Sequence, residues 1–458
     1  MNMRVGIVPA LGGSWGGVYQ YSLTMLRALD ECRIDACEDD FTIFAHDKDH
    51  PTLLPFTRSG WFVKPLTRVR SPSLQQRAWN LLGRIGGEGP HREGWRWLRR
   101  QFQVAGAQGK STLPGPLPDP DVVRSCPDVS RWFRRCGVEL MLYPVANTLS
   151  FEAGIPYVMA IHDLQHRLQP EFPEVSANGQ WELREYVFRN GSRYATLLLA
   201  DSEVGREDIL NFYGPYGVTP DRVKVLPFLP ACYLAEDLSE GERQRVRTTY
   251  HLPEHYLFYP AQFWPHKNHI PIVKALGLLR QEHSIKVPIV FCGHYTGEIC
   301  ERNFHEVMSL SHQLGVLDQV HYLGYVPDED MSALYAEAVA LVMPTFFGPT
   351  NIPVLEAWAF GCPVLTSDIR GIREQVKDAA ILVNPRSFEA IANGIYQLLT
   401  DESLRRRLAE RGRRRLANYT PQDYRRRLLE ILDEAKGLVR SENPRRPKKW
   451  NQIKGKAS

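Results

Sequence analysis

The sequence predicts an α/β fold built from two parallel-sheet units in series. Three observations carry this. Short apolar runs alternate with helical periods from the first residues onward, the alternation restarts near Tyr256, and a polar, proline-bearing join separates the two series. A chain of 458 residues is long enough for two large units or about three smaller ones.

The elements follow in order. Arg4–Pro9 reads as a buried strand, and Gly12, Gly13, Gly16 and Gly17 follow it. Val18, Ser22, Met25, Leu26 and Leu29 then mark one face of a helix. Glu139–Tyr143, Tyr157–Ile161 and Thr196–Ala200 are further short strands. Residues 50–130 are rich in Pro and Gly, carry the basic aromatic run REGWRWLRR (92–100), and fit the alternation badly. They read as an insertion in the first unit. The join falls between Leu226 and His251, where Pro227 and Pro230 precede a charged stretch, Glu236–Arg247, suited to an exposed hinge helix.

The second series runs strand 257–262, helix 270–281, strand 287–293, helix 301–314, strand 320–326, helix 331–337, strand 338–344, helix 353–360 and strand 363–368. Thr420, Pro421 and Asp423 have the pattern of a helix N-terminus and open a last helix. The resulting division is 1–237 for the first unit, 238–420 for the second, 421–438 for a helix returning to the first unit, and 439–458 for a disordered basic tail.

Composition excludes several classes. The hydrophobic fraction is 43%, the charged fraction 24% and the net charge +4, which is too ordinary for a disordered chain and too balanced for a general nucleic-acid binder. The eight cysteines form no CxxC pair and read as buried thiols, and no His/Cys/Asp set has the spacing of a metal site. No apolar run approaches the roughly 20 residues that span a bilayer, and the start shows no signal-peptide pattern, so the expected location is cytoplasmic or at the cytoplasmic face of a membrane.

Four motifs carry chemistry. In GGSWGG (12–17), glycines before a helix let backbone amides approach an anion. IHDLQH (161–166) places His162 directly after a strand, at the carboxyl edge where open α/β sheets hold ligands. There it would donate to a substrate hydroxyl or polarise a leaving group. YPAQFWPHKNH (259–269) places Gln262, His266, Lys267 and Asn268 before a helix, with Lys267 set for phosphate. In MPTFFGPTNIPVLEAWAFGCPVLTSD (343–368) a Gly-Pro-Thr-Asn turn leads into a short helix, and Glu356 is expected in its first turn, able to accept from vicinal hydroxyls.

The last motif resembles the glycosyltransferase family 4 type of retaining, GT-B-fold nucleotide-sugar glycosyltransferases, whose pattern is EGFGLPxLEA with two glutamates eight positions apart. The resemblance covers about 140–435 and 1–30, is poor in 50–130, and implies two Rossmann-like domains facing an interdomain cleft, 1–237 on the acceptor side and 238–420 binding the nucleotide sugar. PVLEAWAFGCPVLTSD matches the second half of the motif, and Glu356 takes the second glutamate's place, which in the family faces the ribose. Gly348 stands where the first glutamate contacts the transferred sugar, and Gln262 stands where an arginine is usual. The resemblance implies a donor site comprising Gly16, Gly17, Gln262, Lys267, Tyr325, Val326, Gly348, Thr350, Asn351, Ile352 and Glu356, with His162, Lys267 and Glu356 closest to the chemistry. Tyr325 and Val326 would lie by the nucleobase, chiefly through backbone, and Asp201 and Ser202 would be structural.

The implied activity is metal-independent retaining transfer of a hexose such as mannose. The donor would be a UDP- or GDP-sugar and the acceptor a glycan or lipid-linked molecule of cell-surface polysaccharide synthesis. No further cofactor is expected, and no nucleic acid. REGWRWLRR, RWFRR (131–135) and the basic tail suit contact with an anionic membrane. The same residues fit two alternatives, a nucleotide-sugar epimerase or hydrolase of GT-B fold and a non-catalytic nucleotide-sugar- or glycan-binding subunit.

Overall fold

The structure is a computed structural model that describes residues 3–11, 16–34, 40–66, 119–234 and 238–441. Two all-parallel sheets organise it. The first has the order β3-β2-β1-β4-β5-β6-β7, and the second β10-β9-β8-β11-β12-β13. The strands of the first are β1 Arg4–Ile7, β2 Asp40–Ala45, β3 Phe62–Pro65, β4 Leu140–Tyr143, β5 Tyr157–Ala160, β6 Leu197–Ala200 and β7 Val223–Val225. Those of the second are β8 Leu257–Pro260, β9 Ile289–Cys292, β10 Val320–Tyr322, β11 Ala340–Met343, β12 Val364–Ser367 and β13 Ile381–Val383.

Central strands such as LMLY, LLLA, IVFC and ALVM are buried at every position, because helices cover both faces of each sheet and a side chain on either face meets apolar neighbours. In both sheets the strand order reverses once, between β1 and β4 in the first and between β8 and β11 in the second. Adjacent loops leave in opposite directions at such a reversal, which opens a crevice beyond the carboxyl ends of the strands.

Two expectations about organisation change. The segment 50–130 is not wholly an insertion. The helix Leu54–Arg58 packs Phe56 and Trp61 into the first core, β3 pairs with β2, and the helix Pro127–Arg135 buries Phe133. The strand leaves little trace in the sequence because it has four residues, lies at the sheet edge and ends in Pro65, which an edge tolerates. Residues 67–118, with REGWRWLRR, lie outside the described residues, as do Gly12, Gly13 and 442–458. The second change concerns the exposed hinge helix read at 236–247, not the boundary at 237/238. The helix Glu240–Thr249, opened by a Ser239–Glu242 capping box, packs as part of the second unit, with Arg243 and Arg247 on Glu337 and Arg245 on Asp330.

The helix Pro421–Ser441 starts at Thr420, whose hydroxyl and amide both pair with Asp423. It leaves the second unit and lies against the first. Tyr424, Leu428, Ile431, Leu432 and Ala435 are almost wholly buried among Leu26, Leu29, Val158 and Leu197. Each such aliphatic side chain contributes roughly 2 kcal/mol by burial.

Polar contacts close the units over the crevice. Glu374 accepts from the first amides of the helix Glu203–Tyr213, Glu203 N at 3.2 Å and Val204 N at 3.1 Å, where a carboxylate satisfies free N–H groups. Arg370 pairs with Glu207 and Asp208 on the same helix, and Gln20 donates to Asp328 at 3.2 Å.

Candidate functional site

The crevice is a cleft of about 2170 Å³ lined from both sheets. All twelve residues predicted from sequence line it, on the loops and helices that follow β1, β5, β8, β10 and β11.

Glu356 is buried, at 4% exposure, and lies one turn inside the helix Ile352–Ala359 rather than in its first turn. The helix dipole is therefore not what holds it. Two phenols do. Tyr233 Oη donates to Oε1 at 2.9 Å and Tyr335 Oη to Oε2 at 2.5 Å. Burial pushes its pKa up to about 7, and the two phenols pull the other way. Each carboxylate oxygen keeps a second lone pair for a ligand hydroxyl. Neither tyrosine carries a sequence signal for this role. Tyr233 lies in the join between units and Tyr335 on the helix Asp328–Glu337.

Lys267 ends a 3-10 turn, Pro265–Lys267, after β8. Tyr259 Oη donates to its carbonyl at 2.7 Å, and the next residue, Asn268, takes the left-handed conformation that Asn tolerates. Asn268 Nδ2 donates to the carbonyls of Pro344 and Pro385, each at 2.7 Å, so the Lys-Asn pair divides its work. Asn268 ties the loop to the end of β11, and Lys267 faces the cleft. Burial draws the ammonium pKa down to about 8, while Asp163 and Glu174 favour its charge. Gln262, in the arginine's place, accepts from Trp264 Nε1 at 2.7 Å. Behind it Gly293 holds φ +132, where a Cβ would come within 2.7 Å of the Ala261 backbone, so only glycine lets these loops approach.

His162 reverses the expected polarity. Its Nε2 lies 2.8 Å from the Pro144 carbonyl, so the ring donates there, and burial lowers its pKa. The neutral ring, held between Tyr21 and Phe228, then offers Nδ1 as an acceptor, not a donor, to a ligand hydroxyl.

The turn after β11 also departs from expectation. The Asn351 amide is not left for a ligand, because it donates to Gln375 Oε1 at 3.0 Å, while Gln375 Nε2 donates to Asn351 O at 2.8 Å. Thr350 Oγ1 donates to Asp201 Oδ2 at 2.5 Å. Asp201 therefore reaches the cleft. Its burial pushes the carboxyl up to about 7, with Thr350 and Ser202 opposing. Ser202 is structural, capping the helix Glu203–Tyr213 through Gly205 N.

Beyond β10, Tyr325 is 55% exposed and stacks on His294 with centroids 5.2 Å apart, a flat aromatic surface at the rim, and Val326 is buried beneath it. Gly16 and Gly17 begin the helix Gly17–Ile34 opposite, with Gly17 near Ile352. Among the described residues no group of three or more His, Cys, Asp or Glu is arranged to hold a metal ion. The RWFRR segment is partly core. Phe133 is fully buried against Phe44, Arg131 pairs with Asp128, and Lys64 lies over Trp132. No helix of the described residues is long and apolar enough to cross a membrane.

Residues 242–415, which contain every strand of the second sheet, match the family described as Glycosyl transferases group 1. The chain is 31% identical over 228 residues to the O-antigen chain mannosyltransferase B of Escherichia coli, covering 48% of this chain and 55% of that protein. It is 28% identical over 299 residues to the D-inositol 3-phosphate glycosyltransferase of Salinispora arenicola, covering 62% and 64%. The matches thus span between half and two thirds of these relatives. Among solved structures, Anabaena HepE in complex with UDP-glucose superposes with a TM-score of 0.63 at 17% identity, covering 94% of this chain and 99% of that one. The two parallel-sheet units are those of the GT-B fold.

Proposed function

We propose that the protein is a glycosyltransferase that moves a sugar from a nucleoside diphosphate donor to an acceptor hydroxyl. The observation that carries this reading is the convergence of Lys267, His162 and Glu356 on one cleft between the carboxyl edges of the two sheets. The match at 242–415 and the mannosyltransferase relatives support it.

Under this reading each group has a task. Glu356, fixed by Tyr233 and Tyr335, accepts the ribose hydroxyls, and the Tyr325–His294 surface takes the base. Lys267 neutralises charge that grows on the diphosphate as the bond from the anomeric carbon to the phosphate oxygen breaks. His162 accepts from a hydroxyl of the sugar and orients it. The acceptor oxygen forms the new bond on the face the diphosphate leaves, so configuration is retained, and its proton passes to a departing phosphate oxygen. Lys267 supplies the positive charge, and no metal ion is given a role. The acceptor is a glycan or lipid-linked molecule bound by the first unit. The protein works in the cytoplasm at the membrane face, which the Lys64–Trp132 pair of the first unit suits.

Calorimetry with UDP, GDP and ADP tests the donor site. One nucleotide should bind tightly, and Lys267→Ala and Glu356→Ala should each abolish the binding. Acceptor-dependent product then separates a transferase from a second reading, a nucleotide-sugar-binding subunit, which Gly348 and Gln262 in place of the acid and the arginine favour.

A further inference from the structure

Position 348 is closed to an acid. Gly348 has φ +139, and a Cβ there would lie 2.5 Å from Asn351 Nδ2 and 2.9 Å from Oδ1. Gln375 pins the Asn351 backbone in both directions, so a Cβ at 348 must displace the buried Asn351 side-chain amide and also adopt a positive φ. If the cleft binds a sugar, the carboxylate that would receive the sugar's hydroxyls comes from elsewhere.

A carboxylate of the other unit lies beside this turn. Glu174, on the short helix Pro173–Ser176, accepts at Oε1 from His266 N at 3.1 Å and His266 Nδ1 at 2.6 Å. The His266 carbonyl in turn accepts from Phe346 N at 2.8 Å and Thr345 Oγ1 at 3.0 Å. Gln169 Nε2 donates to the Phe346 carbonyl at 2.9 Å, and Phe172 packs on the Phe346 ring. Glu174 is thereby fastened to the strand end that leads into Gly348, with Lys267 adjacent in sequence to its partner.

Its second oxygen has no protein partner. The Glu174 side chain is 5% exposed, the residue lines the cleft, and Oε2 is buried without a hydrogen bond. Burial pushes the carboxyl up, but the hydrogen bonds from His266 outweigh it and hold the group below its usual range, so it is ionised. A buried carboxylate with one unmatched oxygen is costly unless a ligand brings the donor.

We propose that Glu174 supplies, from across the cleft, the acceptor carboxylate for the hydroxyls of the transferred sugar, and that the donor is therefore a neutral, hydroxyl-rich hexose. This rests on the glycosyltransferase reading. The sugar subsite is then shared between units while the nucleotide subsite belongs to the second, so affinity for a nucleotide sugar, unlike affinity for the bare nucleotide, depends on Glu174.

The test uses the full-length protein and Glu174→Gln, which keeps the shape and the His266 bond but puts a donor where Oε2 was. Calorimetry compares GDP with GDP-mannose and UDP with UDP-glucose. The expected result is nucleotide affinity within about twofold of wild type and nucleotide-sugar affinity lower by about tenfold or more. Equal losses for nucleotide and nucleotide sugar would reduce Glu174 to an interdomain tie, and no loss for either would remove it from the site, so both outcomes overturn the proposal. If Glu174→Gln fails to fold, Glu174→Asp is measured the same way, with a smaller selective loss expected and an unselective one overturning the idea. A wild-type protein that binds none of the four ligands overturns the transferase reading as well.

Discussion

Thr350 Oγ1 donates to Asp201 Oδ2 at 2.5 Å, joining the turn after β11 to the end of β6 in the other sheet. A buried acid with a single strong donor from the opposite unit couples the closure of the cleft to proton binding. Burial has pushed Asp201 up to about 7, against roughly 3.9 in an unfolded chain. Between about pH 4 and 7 the folded state therefore holds a proton that the unfolded state has lost, so stability falls as pH rises through that window. Asp201→Asn removes the titration. It should raise stability at pH 8 by about 1–3 kcal/mol and change little at pH 5. Thermal melts of both proteins at the two pH values check this, and parallel slopes would count against it.

Lys267 is drawn down to about 8 by burial, so the free enzyme loses this charge as pH rises past that value. The rate constant kcat/KM for the donor should fall above about pH 8, since it reports ionisations of the free enzyme. Lys267→Ala should lower it by about 10²–10³-fold and flatten that limb of the profile. A steep limb that survives in the variant would assign the titration to another group.

Glu356 keeps both oxygens satisfied only while both phenols are present. Tyr335→Phe leaves Oε2 buried without its 2.5 Å donor, which should cost about 1–3 kcal/mol of stability and weaken nucleotide binding. Tyr233→Phe removes the partner from the join and should weaken binding with a smaller effect on melting, because Tyr233 is less buried than Tyr335. Chemical denaturation and nucleotide titration of the single and double variants measure the coupling between them.

Placing at position 348 the acid of the motif it resembles should not help. Gly348→Ala should destabilise by about 1–3 kcal/mol from the positive φ and the Asn351 contact, and Gly348→Glu by more. Neither should gain activity. A gain in turnover with Gly348→Glu would show that the turn after β11 can reopen.

Much of this architecture is legible in the amino-acid sequence. β8, β9, β11 and β12 of the second sheet stand out because each is a short, mostly apolar and buried run between turn residues, and β4, β5 and β6 do for the same reason; β10, an edge strand Val-His-Tyr, is legible only through the apolar residues that follow it. β3, β7 and β13 are edge strands of three or four residues with half-exposed patterns, and such segments look like loop. The site is legible where a residue sits in a motif at a strand end, as His162, Lys267 and Glu356 do. It is not legible where function depends on a partner from far along the chain. Tyr335 lies 21 positions before Glu356, Asp201 lies 149 before Thr350, and Glu174 lies 92 before His266, and only tertiary packing brings them together. The polarity of His162 is hidden for a related reason: its Nε2 partner is a carbonyl 18 residues earlier, which no side-chain pattern records.

The helix Pro421–Ser441 decides when one core of the first unit is complete during synthesis. Tyr424, Leu428, Ile431 and Leu432 complete the core on one face of the sheet that begins at Arg4, so that face stays open until this helix has left the ribosome. The second unit, whose strands end at Val383 and whose helices end at Ala417, has all its parts earlier. The face of the first sheet beside β1, β5 and β6 is thus the one completed last in chain order, while the core on its other face needs no residue of this helix.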